Sequence, residues 1–169
     1  VPDATGLELI AKELRDANPD SVTDTLFFRD RATLIIQPGA IRATLAQLRE
    51  RGFGFLASVH GVDYYPEEPR LGVVYELLDM DAVDRITVKL RVPIDAATVE
   101  SVTPDWKTAD HQEREIYDMF GVVFEGHPSL RRILMPEDYE GYPQRRDFPL
   151  GGEPVLFTYN EASTPGWTK

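Results

Sequence analysis

Asp110 and Glu113 are the side chains whose type and spacing could do chemistry. Carboxylates three residues apart on a helix share a face, so with His111 beside them they could work as acid and base or hold a metal. His111 and Glu115 also share a face at i, i+4, but two ligands make no zinc site, and no third has suitable spacing. The histidines are His60, His111 and His127. None stands in H-E-x-x-H, and His127 sits in the turn context Gly126-His127-Pro128. There are no cysteines, which removes disulfides, thiolate nucleophiles and cysteine-held iron–sulfur clusters from these residues. There is no P-loop, and Ser58, Ser101 and Ser129 lack a nucleophile elbow. The letters G-x-G-x-x-A occur from Gly52 to Ala57, but a dinucleotide fingerprint follows a strand and opens a helix, whereas these glycines follow a predicted helix.

The element that must position the acids is a helix ending at Gly121, a good stop. Stepping 100° per residue from Trp106 puts Trp106, Ala109, Ile116, Tyr117 and Phe120 in one apolar stripe. Glu113 falls in the middle of that stripe, Asp110 at its edge, Arg114 and Asp118 on the flank, and Glu115 on the far side. Thr103-Pro104-Asp105 predicts the start: a capping hydroxyl, a proline at the first helical position, and an acid at the positive end. An unpaired carboxylate in an apolar stripe is costly to bury. The nearest positive charge in sequence is Arg131-Arg132, so Glu113 is expected to be buried against an arginine of this chain or of a partner.

The 169 residues suffice for one domain with a sizeable core. With 29 acidic against 18 basic residues the formal charge is −11, which argues against sequence-independent nucleic-acid binding and against unaided adhesion to anionic membranes. No apolar run approaches the roughly 18–20 residues of a membrane span, and no secretory leader pattern is visible.

From the N-terminus, Leu7, Ile10, Ala11 and Leu14 predict a helix from about Thr5 to Ala17. Val22 to Phe28 and Ala32 to Gln37 read as a hairpin. Ile41, Leu45 and Leu48 mark a second helix, with Gly52 just past its end. A β-rich run then passes through Val59, and Gly61 to Pro66 turns the chain. Leu71 to Leu78 and Arg85 to Val92 form a strand pair; the second alternates apolar and charged residues, as a half-buried strand does. The sum is an α+β fold: a mixed β-sheet with packed helices over residues 1–121.

Residues 122–169 read as a long extended C-terminal arm. Pro128, Pro136, Pro143, Pro149, Pro154 and Pro165 exclude long helices there. Yet Phe124, Tyr139, Tyr142, Phe148, Phe157, Tyr159 and Trp167 make it too aromatic for a disordered tail. Proline-rich chain loses less entropy on docking, so the arm is expected to bury these side chains on partner proteins, its first third folding back on its own domain. Arg131-Arg132 and Arg145-Arg146-Asp147 suit bidentate contacts to carboxylates and carbonyls.

Glu113-Arg114-Glu115-Ile116-Tyr117-Asp118-Met119-Phe120-Gly121-Val122, Gly126-His127-Pro128 and Leu130-Arg131-Arg132-Ile133-Leu134 together resemble the signature of the thirty-kilodalton subunit of respiratory complex I, the C subunit of the bacterial NADH:quinone oxidoreductase. Val62-Asp63-Tyr64, Ser101-Val102-Thr103 and Arg145 to Leu150 also fit. The resemblance implies a peripheral subunit on the cytoplasmic (or matrix) side of the membrane, with no catalytic residue, metal or cofactor of its own. It would brace the quinone-site subunit of the forty-nine-kilodalton type and lie near iron–sulfur subunits, in an enzyme using NADH, FMN, Fe-S clusters and quinone. Glu113, Arg114, Glu115, Asp118, Gly121, His127, Arg131, Arg132, Arg145, Arg146 and Asp147 would then have structural or interface roles. The equivalent subunit of a related membrane hydrogenase or ferredoxin-type dehydrogenase shares this pattern, and a free-standing enzyme using Asp110, His111 and Glu113 is the competing class.

Overall fold

A computed structural model describes residues 3–149. Helix α1 spans Ala4–Ala17. Asp3 caps it, accepting from the Gly6 N–H at 2.6 Å, and Leu7, Ile10, Ala11 and Leu14 face inward. The hairpin β1 (Val22–Phe28) and β2 (Arg31–Ile36) follows. Its turn residues Arg29 and Asp30 have φ of 51° and 59°. A 3₁₀ turn, Pro38–Ala40, leads into α2 (Ile41–Glu50), which buries Ile41, Thr44, Leu45 and Leu48. Next come β3 (Phe55–Asp63), β4 (Leu71–Asp79) and β5 (Asp84–Val92).

These five strands form one sheet in the order β1-β2-β5-β4-β3. All neighbours are antiparallel except β2 and β5, which run parallel; the long crossover between them carries α2 and β3–β4, as a parallel pair requires. Two short strands, β6 (Thr98–Glu100) and β7 (Val123–Glu125), pair in parallel beside the main sheet. Between them lies α3, Ala109–Phe120.

The core lies on one face of the sheet. Ile86, Val88, Leu90 and Val92 of β5 and Leu71, Val73, Tyr75 and Leu77 of β4 meet the inward faces of α1, α2 and α3. Their registers place these residues side by side, as period-2 alternation demands. The expected α+β class is the observed one.

Two local expectations are corrected, and one strand pair was not expected. The predicted turn at Gly61 is strand: β3 continues to Asp63, because Gly61 lets α3 approach closely. A Cβ there would stand 2.5 Å from the Phe120 ring. The third helix does not start at Thr103-Pro104-Asp105. Those residues turn, with the Asp105 and Trp106 N–H groups donating to the Val102 carbonyl, and Trp106 is buried by giving its indole N–H to the Gly54 carbonyl at 3.0 Å. The strand pair β6–β7 has no signal in the sequence, since three residues are too few to show alternation.

Candidate functional site

Helix α3 carries the predicted residues, and the structure divides them into two clusters. The first is sealed. Glu113 is fully buried and accepts from the Ser101 hydroxyl at 2.6 Å, the Val102 N–H at 2.7 Å and the Thr103 hydroxyl at 3.1 Å. The expected arginine is not its partner. The β6–α3 connection folds over the carboxylate and satisfies it with hydroxyls and a backbone donor, while the arm's arginines go elsewhere. Burial pushes the Glu113 carboxyl up, and these donors with nearby His127 only partly oppose that. His127 Nε2 is 4.0 Å from Glu113 and 3.2 Å from the Asp110 carbonyl oxygen. Because the Ser129 N–H donates to Nδ1 at 3.0 Å, Nε2 carries the proton that goes to that carbonyl. The buried Tyr75 hydroxyl has no hydrogen-bond partner among the described residues. Burial, then the Glu113 charge, pushes its phenol well above the usual range.

Asp110, His111 and Glu113 do not form a catalytic set. His111 is 77% exposed, whereas the Glu113 oxygens are occupied inside. No group of three or more His, Cys, Asp or Glu side chains among the described residues is placed to hold a metal.

The second cluster clamps the chain after α3 onto the helix. Asp118 is buried. Its Oδ1 takes Arg132 Nη1 at 2.6 Å, and its Oδ2 takes the backbone N–H groups of Ile133, Leu134 and Met135 at 3.0, 2.7 and 2.8 Å. Burial pushes this carboxyl up, but the donors outweigh it and hold it below the usual carboxylate range. Arg114 donates to the Arg131 and Arg132 carbonyls, each at 3.2 Å. Arg131 and Glu115 are exposed.

A helix leaves its last four carbonyls without internal partners. Here Tyr117 O takes the Gly121 N–H, Asp118 O takes Arg132, Met119 O takes the Gln144 N–H and Phe120 O takes Arg145 Nε at 2.7 Å. The two guanidiniums sit at the negative end of the helix, where cations are favoured. Gly121 has φ 78°, and a Cβ there would lie 2.6 Å from both Arg145 and Tyr142. Arg132 and Arg145 also lie over the Tyr142 ring, at 5.5 and 4.3 Å.

A third fastening was not anticipated from the sequence. Arg70, itself buried, is held bidentately by Asp63 at 2.9 and 2.8 Å and by Asp147 at 2.8 and 2.6 Å. The Arg146 N–H also donates to Asp63 at 2.7 Å, and its guanidinium to the Tyr65 carbonyl. The Arg70 pairing drives the Asp63 carboxyl far below its ordinary range and holds Asp147 down as well. An arginine in an otherwise apolar strand start is the signal that could have found it. The chain after α3 therefore lies on its own domain as far as Asp147. The fold-back expected only for the first third of the 122–169 arm runs on to Asp147, and the rest of the expected docking, over residues 150–169, lies outside the described residues.

The fold and this clamp define a class first: a mixed-sheet α+β domain whose last helix is bound by the chain that follows it. The profile of the family described as "Respiratory-chain NADH dehydrogenase, 30 Kd subunit" matches residues 34–154. The C subunit of the NADH-quinone oxidoreductase of Roseiflexus sp. (strain RS-1) is 43% identical over 155 residues, covering 90% of this chain and 89% of that one. Subunit 5 of the Thermus thermophilus NADH-quinone oxidoreductase is 45% identical over 122 residues, 67% of this chain and 59% of that one. Among solved structures, a trypsin-resistant fragment (1-134) of Nqo5 aligns with TM-score 0.63 at 33% identity, covering 73% of this chain and 98% of the fragment. A chain of an archaeal respiratory membrane complex, the membrane-bound sulfane sulfur reductase, aligns with TM-score 0.71 at 28% identity and 85% coverage of each. The chain belongs to the thirty-kilodalton subunit family of respiratory-chain NADH dehydrogenase.

Proposed function

We propose that this chain is a non-catalytic subunit of the peripheral arm of a proton-translocating NADH:quinone oxidoreductase. It sits on the cytoplasmic side of the membrane (the matrix side in a mitochondrion) and braces the quinone-site subunit of the forty-nine-kilodalton type. Electrons pass from NADH through FMN and iron–sulfur clusters held by other subunits to quinone. In this reading the chain contributes rigidity. The clamp on α3 fixes the direction in which the C-terminal arm leaves, and residues 150–169 bury their aromatic side chains on partner subunits.

The observation that carries the reading is the family match, which spans α3, the clamp and the segment fastened by Arg70. Two facts support it. No described helix is long and apolar enough to cross a membrane, which suits a peripheral subunit. The trypsin-resistant fragment of Nqo5 suits a resistant domain followed by a segment that relies on partners for cover. The likeness to a chain of the sulfane sulfur reductase complex favours a second reading, the equivalent subunit of a complex with another electron donor or acceptor.

The test is the native mass of the tagged chain, purified gently from its own membranes, with iron and flavin assayed in the same fraction. Comigration with both cofactors and NADH-dependent quinone reduction supports the proposal. Iron without flavin or NADH activity supports the second reading. A lone soluble chain without cofactors overturns both.

A further inference from the structure

All three helices pack on one face of the five-stranded sheet, and the large apolar core is built from that face alone. Among the described residues the opposite face has no helix on it. Its composition is not that of a merely solvated surface. The registers place Phe28, Arg31, Leu78 and Phe55 in one row with Arg85 between them. Phe28 is 60% exposed, Leu26 50% and Phe55 49%. Leu26 and Phe28 stand together on the edge strand β1, while Phe55 lies at the opposite edge beside Leu78; exposed large apolar side chains grouped on an open sheet face mark a contact surface more than scattered single ones do.

The charge of this face runs against that of the chain. The protein carries −11 overall, yet the central strand β5 turns Arg85, Lys89 and Arg91 outward, and Arg31 of β2 extends the stripe. The acids on the same face are Asp24, Glu76 and, from the β3–β4 connection, Glu67, and Glu76 is engaged by the Thr87 hydroxyl at 3.1 and 3.0 Å. Arg91 is tied to Glu67 and the Pro69 carbonyl and lies 4.2 Å over the Tyr64 ring, but its Nη2 is buried with no hydrogen-bond partner. Neither Arg31 nor Lys89 forms an ion pair among the described residues.

We propose that this open sheet face is a second docking surface, distinct from the C-terminal arm, for an acidic and partly apolar surface of another subunit of the same complex. The inference rests on the function proposed above. A basic stripe on an acidic protein steers and registers an acidic partner, while Leu26, Phe28 and Phe55 supply the apolar contact. A protein partner fits better than a lipid surface, because the cations are spread along the whole face, Arg31 and Arg85 at one end, Lys89 mid-strand and Arg91 toward the other, and are not gathered into one anionic-headgroup site.

The test replaces the native copy with a Lys89→Glu, Arg31→Glu double variant, and separately with Phe28→Ser, and measures how much of the chain stays with the iron- and flavin-containing complex as salt is raised. The expected result is at least a tenfold loss of bound chain in the double variant, at a salt concentration the wild type withstands, since charge contacts between solvated surfaces weaken as ionic strength rises. Phe28→Ser should weaken retention without changing its salt dependence. Each purified variant must melt within a few degrees of wild type, so that loss reports docking and not unfolding. Wild-type retention of both variants overturns this inference alone. Absence of the wild-type chain from any such complex overturns it together with the proposed function. Binding of the wild-type chain, but not the double variant, to phosphatidylglycerol vesicles, with retention in the complex unchanged, assigns the face to lipid and overturns it.

Discussion

Arg132 Nη1 stands 2.6 Å from Asp118 Oδ1 and 3.1 Å from the Asp118 carbonyl oxygen. One guanidinium thus grips both the side chain and the backbone of a single residue in the last turn of α3. Its other terminal nitrogen holds the Gly141 carbonyl at 2.9 Å, so Arg132 joins the helix to two stretches of the chain that follows.

Asp118→Ala is therefore expected to release the clamp. It removes the acceptor for Arg132 and for three backbone N–H groups at once. Breaking a buried, hydrogen-bonded pair from one side costs about 3–5 kcal/mol. Urea denaturation should show that loss, and trypsin should cut faster after Arg131 and Arg132. Asp118→Asn keeps one acceptor oxygen and should fall between the two.

Asp147→Asn and Arg70→Met separate the two halves of the third fastening. Asp147 is half exposed, 49% against 2% for Asp63. Losing the Asp147 charge should cost about 1 kcal/mol or less, as partly exposed pairs do. Arg70→Met leaves the Asp63 carboxylate buried beside an apolar side chain and should cost several-fold more, on the order of 3 kcal/mol. Equal losses from equilibrium unfolding would remove the distinction between core anchor and outer latch.

The acids respond to pH in two opposite senses. Asp63, Asp118 and Asp147 are held below their unfolded values, so the stability they give is present above the ordinary carboxylate range, near pH 4, and is lost as pH falls through the folded values. Glu113 is raised. Its contribution is complete below the unfolded value and is lost as pH rises through the folded one. Glu113→Gln, facing Ser101, Thr103, His127, Asp110 and the Tyr75 hydroxyl, keeps the Val102 N–H acceptor and cannot ionise. Melting temperatures taken from pH 4 to 9 should show the wild type losing ground to this variant as pH rises. A constant difference would mean that Glu113 keeps one protonation state throughout.

The sequence read this helix well in one direction and poorly in another. Period-3.6 stepping put Glu113 inside and Glu115 outside, because local geometry alone decides which face a residue takes. It could not name the partners of Glu113, since Ser101 and Thr103 reach it only after β6 and β7 pair across the intervening chain. Nearness in sequence suggested Arg131-Arg132 for Glu113, but Asp118, five residues on, points to the side where the arm returns and takes Arg132 instead. Arg70 was overlooked for a similar reason: Asp147 lies 77 residues away, and no local pattern links the two. The sheet strands were legible because apolar and charged residues alternate along β5.

Gly121→Ala tests the junction itself. At φ 78° an alanine is strained, by about 1 kcal/mol from the left-handed backbone alone. Its Cβ would also enter the space filled by Arg145 and Tyr142, and overpacking of this kind adds about 1–3 kcal/mol. Relief by local movement would lift Arg145 from the Phe120 carbonyl, so the strain should show at the arm before it shows in the sheet. Hydrogen exchange should thus report faster exchange of the Gln144 and Arg145 N–H groups, while β4 and β5 keep wild-type protection. Equal acceleration in β4 would mean that the clamp and the core unfold as one unit.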